Sequence, residues 1–231
     1  MKQVAVIIVA GGKGERMGSA LPKQFLPLAG RPILMHTIER FATALPGCRI
    51  VVVLPHDRHS FWQNLCVEHG FTLPHQVCDG GATRFESVRN GLAEIGDAEV
   101  IAVHDGVRPL VTSELIRRVV EAAEHSGAAI PVVLPNDSLR EIELEGESRI
   151  VDRSRYRMVQ TPQVFLRSVL LEAYRQPYNN AFTDDASVVE YAGGTIALCE
   201  GDYANLKITT PTDCLIAEVL MKRQSESQAL R

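Results

Sequence analysis

The chain has 231 residues, 45 % of them apolar and 23 % charged, enough to bury a sizeable core as one large domain over 1–231. Its formal net charge of −4 gives no global basic field, so nucleic acid is not an expected partner and any anion site must be built locally. No apolar run approaches the roughly 20 residues of a membrane span, no signal-peptide pattern opens the chain, and five scattered cysteines form no CxxC pair, so no membrane association, free thiols and a cytoplasmic location are expected.

Strand-like and helix-like segments then alternate. The apolar run Val4–Val9 reads as a buried strand that ends in Gly11, Gly12 and Gly14. Apolar residues at helical spacing over 33–45 stop at Pro46-Gly47, and 50–54 is too apolar for an exposed strand. A helix is expected over 59–69, and another over 83–95, with Thr83 capping it and Glu86 in capping-box position. A strand over 100–103, a helix over 113–125 ended by Gly127 and a strand over 128–134 follow. This alternation predicts an α/β fold, a Rossmann-like three-layer α/β/α body with a mixed, mostly parallel sheet. Residues 136–156 break the pattern, and their alternation about Glu145-Gly146-Glu147 predicts a protruding β-hairpin arm, a flap or a dimer contact. Helices near 168–175 and 184–191, a strand near 195–199 and a helix over 212–222 complete the reading, with a frayed tail.

Ligands of open parallel sheets sit beyond the carboxyl ends of the strands, which groups the loops after Val9, Val103 and Leu134 around one crevice. The first loop suits a phosphorylated ligand, because glycines let backbone N–H groups approach phosphate oxygens while Arg16 and Lys23 balance charge. It is not a Walker A motif, since no Lys-Ser/Thr pair follows the last glycine, and Met17 spoils the dinucleotide fingerprint. Pro22 disfavours a helical Leu21, which places Lys23 on an extended loop able to fold back. Gly80-Gly81 precedes the helix that carries Ser87, a helix start that can also receive polar ligand groups. Asp105 can orient hydroxyls or approach a metal ion, and Arg108 can meet phosphate or simply pair with Asp105; His104 has no paired nucleophile and reads as structural. Arg153 on the arm is by default a solvated cation, and Thr183 a helix cap. Lys207 lies in a strand-like apolar run and needs an anionic partner or an exposed edge.

The glycine loop with Arg16 and Pro22-Lys23-Gln24 resembles the wider group of glycosyltransferase-A-like nucleotidyltransferases. HisAspGlyValArgPro (104–109), ThrProGln (161–163), ThrAspAspAlaSer (183–187) and AsnLeuLysIleThr (205–209) resemble the 2-C-methyl-D-erythritol 4-phosphate cytidylyltransferase family and its ribitol-phosphate relatives. The resemblance covers nearly the whole chain. It implies transfer of a cytidylyl group from CTP to a sugar-alcohol phosphate with release of pyrophosphate, for isoprenoid precursor synthesis. It further implies that Ala10, Gly11, Gly12 and Gly14 wrap the nucleotide, that Arg16, Lys23 and Lys207 are catalytic cations, and that Gly80, Gly81 and Ser87 read the cytosine. Asp105 is implied in both nucleotide and acceptor binding. Arg108, Ser138, Arg153, Thr161, Thr183 and Lys207 are implied around the acceptor, with Arg153 coming from a partner subunit through the 136–156 arm of a homodimer. Mg²⁺ is the implied cofactor, bound with CTP, and no side chain is assigned as its direct ligand. The sequence departs from the family where Val9-Ala10-Gly11-Gly12 replaces the common Pro-Ala-Ala-Gly, a form shared with the ribitol-phosphate relatives, and where Ala82 and Thr83 replace a frequent acidic residue. ThrAspAspAlaSer favours the methylerythritol branch over ribitol-5-phosphate cytidylyltransferase, and the retained cations argue against a non-catalytic nucleotide sensor.

Overall fold

Two apolar clusters divide the residues of the first strand, β1 (Val4–Val9), by the period of two that strand geometry imposes. Val4, Val6 and Ile8 enter one cluster, and Ala5 and Ile7 the other, so both faces of the strand are covered. This is the physical meaning of an unbroken apolar run: from Val4 to Ile8 both faces of β1 are shielded from water. The computed structural model describes residues 2–12, 21–143 and 146–229. Gly14 and Arg16 lie outside these residues.

β1 pairs in parallel with β4 (Arg49–Leu54) on one side and β6 (Val100–Asp105) on the other. β5 (Gln76–Asp79), a strand missed in the sequence, extends the sheet beyond β4 in parallel. Beyond β6 the direction reverses. β11 (Gln163–Leu166) runs antiparallel between β6 and β7 (Ala128–Val133), and β10 (Met158–Val159) and β12 (Ala197–Glu200) both pair with β7. The short hairpin β2 (Pro27–Leu28) and β3 (Arg31–Pro32) stands apart.

The helices cover both faces. α1 (Ile33–Ala44), α2 (His59–Glu68) and α4 (Ser113–Ser126) set Leu34, Ile38, Trp62, Leu115 and Val119 against Val6 and Ile8. α3 (Arg84–Leu92), α5 (Arg167–Ala173) and α6 (Asp185–Tyr191) set Val88, Leu170 and Val189 against Ile7 and Val53. Each fully buried aliphatic side chain contributes about 1.5–3 kcal/mol relative to exposure. Gly91 lets α3 lie close on β1, for a Cβ there would stand 2.7 Å from Ile7 Cγ2. α7 (Pro211–Ala229) runs past the expected end and, with Val107, Leu110 and Ile208, contributes Ala217 to a third apolar cluster. Among the described residues no helix is long and apolar enough to cross a membrane.

The arm is the expected hairpin, with β8 (Arg140–Ile142) paired to β9 (Ser148–Ile150) in a two-stranded sheet apart from the main one. Arg149 bridges Glu141 and Glu143 at 2.5 and 2.9 Å, while Ile142 and Ile150 are exposed.

Candidate functional site

The parallel register sets Val9 beside Asp105, so the carboxyl ends of β1 and β6 open into the same space. There a cleft of about 310 Å³ is lined by Ala10, Gly11, Gly12, Lys23, Arg84 and Lys207, together with Gly81, Ser87 and Asp105. That volume is at the lower end of the range for small-molecule sites, roughly 300–1,000 Å³. The glycine turn is held from below by Gln24, a buried side chain whose amide donates to the Ala10 carbonyl at 2.6 Å. Lys23 stands over it: a Cβ added to Gly12 would lie 3.9 Å from Lys23 Cε. The segment behind Pro22 is not the extended loop expected from sequence. Pro22 is itself extended, but Lys23–Phe25 closes into a 3-10 turn with Phe25 buried under it.

The opposite wall is the start of α3. Thr83 and Glu86 form the expected capping box, Thr83 Oγ1 accepting from Glu86 N at 3.1 Å and Glu86 Oε2 from Thr83 N at 3.0 Å. Ser87 closes the turn: its hydroxyl accepts the Gly81 N–H at 3.0 Å and donates to the Thr83 carbonyl at 2.9 Å. Gly81 has no room for a side chain, since an added Cβ would fall 2.3 Å from Glu86 Cβ. Gly80 lies behind this wall, its N–H donating to the Leu54 carbonyl at 2.8 Å.

Asp105 is the charge centre. Lys207 Nζ and Arg108 Nε both reach its Oδ2 at 3.1 Å. Burial alone would raise its pKa, but Lys207 and Arg108 outweigh that effect and hold the carboxyl well below the usual carboxylate range. Arg108 also donates to the Asn205 carbonyl at 2.8 Å, which fixes its fork. Lys207 is not in a strand as expected. Its segment is irregular, anchored by the Ile208 N–H on the Val107 carbonyl at 2.9 Å, and Lys207 has both an anionic partner and an open side.

His104 is structural. It is fully buried, and burial pushes its pKa down to about 3, so the ring is neutral. Its Nε2 meets the Arg108 carbonyl at 3.2 Å, which leaves Nδ1 to accept from the Thr161 hydroxyl at 3.0 Å. Thr161 Oγ1 accepts the Asp105 N–H at 3.1 Å. Thr161 therefore lies beneath the cleft, with its hydroxyl engaged in placing Asp105.

Arg84 escaped the sequence reading. It enters the cleft wall at the first position of α3 and grips Asp185 through two bonds of 2.8 and 2.6 Å. Asp185 is fully buried and also accepts from the Tyr174 hydroxyl at 2.6 Å, while its N–H donates to Gln163 Oε1. Although burial disfavours the charged guanidinium, Asp185 raises the pKa of Arg84. A clue was present: a cation at a helix N-terminus opposes the dipole and calls for a carboxylate.

Three expected residues are not gathered here. Thr183 is exposed, and the cap of α6 is Asp184, which forms a capping box with Ser187. Thr183 instead gives its N–H to Ser187 Oγ at 3.1 Å. Ser138 is exposed at the base of the arm. Arg153 bonds to the Asn136 carbonyl and lines a separate cavity of about 270 Å³ with Leu134, Pro135, Ser154 and Tyr203. The loop after Leu134 thus does not join those after Val9 and Val103, because β11 is interposed between β6 and β7.

The match of residues 4–223 to the family model described as 2-C-methyl-D-erythritol 4-phosphate cytidylyltransferase (IspD) decides the affiliation. The chain belongs to the IspD family. A Bacteroides thetaiotaomicron protein named 2-C-methyl-D-erythritol 4-phosphate cytidylyltransferase is 53 % identical over 221 residues, covering 96 % of this chain and all of that protein. A Porphyromonas gingivalis protein of the same name is 51 % identical over 216 residues, 93 % of this chain and 96 % of its own. The solved structure of the Thermus thermophilus enzyme of that name superposes with a TM-score of 0.76 at 36 % identity, covering 95 % of this chain and 99 % of that one. IspD affiliation and the three-layer α/β fold therefore agree, and the cleft occupies the strand ends where such folds hold ligands.

Proposed function

We propose that this IspD-family chain transfers the cytidylyl group of CTP to 2-C-methyl-D-erythritol 4-phosphate, giving 4-CDP-2-C-methyl-D-erythritol and pyrophosphate. The observation that carries this reading is Asp105 with Lys207 and Arg108 on one oxygen, facing two glycine turns across a cleft that Lys23 and Arg84 also line. An acceptor phosphate oxygen forms a bond to the α-phosphorus as the bond from that phosphorus to the pyrophosphate oxygen breaks. The acceptor is already an anion near neutral pH, so no general base is needed. The chief barrier is bringing two polyanions together, which positioning and fixed cations lower.

In this reading Ala10, Gly11, Gly12 and Gly14 receive the phosphates, Arg16 and Lys23 balance their charge, and Gly80, Gly81 and Ser87 form the tight wall that admits a pyrimidine. Asp105 and Lys207 stand at the junction of the two substrates. Arg84, pinned by Asp185, presents a fixed cation to the nucleotide side. Asp105 is the one carboxylate among the described residues lining the cleft. A single carboxylate supplemented by substrate phosphates suits Mg²⁺, which dehydrates reluctantly and keeps several waters. When bound with CTP, that ion supplies charge neutralisation of the triphosphate and Asp105 would hold it.

The arm extends this reading to a homodimer. Exposed Ile142, Ile150, Tyr156 and Met158 give residues 136–156 and their base an apolar face suited to a second copy. Arg153, Ser138 and Thr183 then belong to the acceptor side, with Arg153 reaching the partner's cleft. The deciding assay is pyrophosphate release from CTP with and without Mg²⁺, offering methylerythritol phosphate or ribitol 5-phosphate. Mg²⁺-dependent release with the first acceptor is expected. Turnover confined to ribitol phosphate would refute the acceptor, and tight CTP binding without turnover would refute catalysis.

A further inference from the structure

Outside the cleft, two imidazoles converge on one carboxylate. His56 Nδ1 lies 2.9 Å and His59 Nε2 3.3 Å from the same oxygen, Asp79 Oδ1. One donor atom from each residue falls within 4.8 Å of the others, the one such triplet among the described residues. The geometry points to a binding site for a first-row transition ion of the Zn²⁺ type, held by His56, His59 and Asp79.

The backbone builds this convergence. Leu54 and Asp79 are register partners at the ends of β4 and β5, which fixes where the carboxylate starts. Pro55 turns the chain into the 3-10 turn His56–Arg58, which passes directly into α2. His56 and His59 are thus three positions apart on consecutive helical turns and face the same way, with ring centroids 5.4 Å apart. Asp79 is steadied from behind by Asn90, whose amide donates to its carbonyl at 3.0 Å.

Donor chemistry selects the ion. Imidazole suits Zn²⁺, Cu²⁺ and Ni²⁺, whereas Mg²⁺ and Ca²⁺ prefer oxygen ligands. Two nitrogens and one oxygen leave a tetrahedral ion one position for water, and the site is open to supply it: the side chains of His56 and Asp79 are 86 % and 55 % exposed and that of His59 is 24 % exposed. Metal would replace the hydrogen bonds that now hold the three groups together, with His56 Nδ1 and His59 Nε2 in their unprotonated forms. The cluster also shares a support with the cleft wall. The Leu54 carbonyl accepts the Gly80 N–H at 2.8 Å and lies 3.3 Å from His59 Nε2. An ion here would tie the ends of β4 and β5 together beside the Gly80-Gly81 turn.

The test is calorimetric titration of the full-length protein with ZnCl₂, paired with Co²⁺ absorption spectra and thermal melts with and without Zn²⁺. One equivalent per chain, visible Co²⁺ ligand-field bands and a Zn²⁺-dependent rise in melting temperature are expected. His56→Gln, on the most exposed ligand, keeps the metal-free melt and should weaken binding at least about tenfold, and His59→Gln and Asp79→Asn should do the same. Unchanged Zn²⁺ affinity in a His56→Gln/His59→Gln double variant would overturn the site, as would the lack of saturable binding by the wild type.

Discussion

Arg84 and Asp185 are separated by 101 positions in the chain yet meet through two parallel bonds of 2.8 and 2.6 Å at the edge of the cleft. The pair joins the start of α3 to the start of α6. It makes the wall that carries Gly81 and Ser87 depend on an element from the far end of the chain.

Breaking that pair leaves a guanidinium without its anion. Removal of one partner from a buried pair costs about 3–5 kcal/mol, and the lower figure applies here because the side chain of Arg84 is 30 % open to the cleft. Asp185→Asn should therefore lower stability by about 3 kcal/mol and raise the KM for CTP. Denaturant melts and steady-state kinetics measure the two effects, and an unchanged melt would contradict the role given to the pair.

Lys23→Ala should leave the protein folded and reduce kcat at least about a hundredfold, the scale of losing one charge-stabilising donor. The same reduction is expected for Arg16→Ala. Single-turnover rates separate this from weakened binding. Near-normal turnover in either variant would remove its assignment as a catalytic cation.

Lys207→Gln tests the proposed place of Lys207 at the junction of the two substrates. Arg108 still pairs with Asp105 in this variant, so the protein should fold, while turnover should fall by about a hundredfold or more. A loss seen only as a higher KM, with kcat intact, would make Lys207 a binding group alone.

Acid should destabilise the protein through His104. Its pKa is pushed down to about 3 from an ordinary 6.5, so below 6.5 the unfolded chain takes a proton that the folded chain refuses. The resulting stability is complete above pH 6.5 and is lost as pH falls towards 3. Each pH unit in that window removes up to about 1.4 kcal/mol. His36, lowered chiefly by burial, acts with the same sign. Urea midpoints at successive pH values should show the fall, and a His104→Gln variant should show a shallower slope.

Much of the frame was legible because local chemistry decides it. The unbroken apolar run of β1 requires cover on both faces, and Thr83 with Glu86 specifies the start of α3 without help from distant residues. β11 was not legible: Gln163–Leu166 is four residues long, and nothing in so short a run states its direction or its place between β6 and β7. Lys207 misled because Leu206 and Ile208 flank it with strand-like alternation. Ile208 is apolar to fill the third cluster with Leu28 and Ile33, not to extend a sheet. Asp184 displaced Thr183 as the cap because its carboxylate accepts the Ser187 N–H at 2.8 Å, a choice between adjacent good caps that only the backbone angle settles.

β10 and β11 resume pairing along β7 and β6 directly after the arm, so the sheet is sewn shut on both sides of the excursion. The arm's own ladder, which pairs Arg140 with Ile150 and Ile142 with Ser148, shares none of those bonds. Sequence drift at the hairpin can therefore rewrite the surface offered to another molecule while the spacing of Val9, Asp105 and Gly81 stays as it is. The two hydrogen-bond ladders are separate, so the arm can vary around Ser138 and Arg153 without moving the backbone that shapes the cleft.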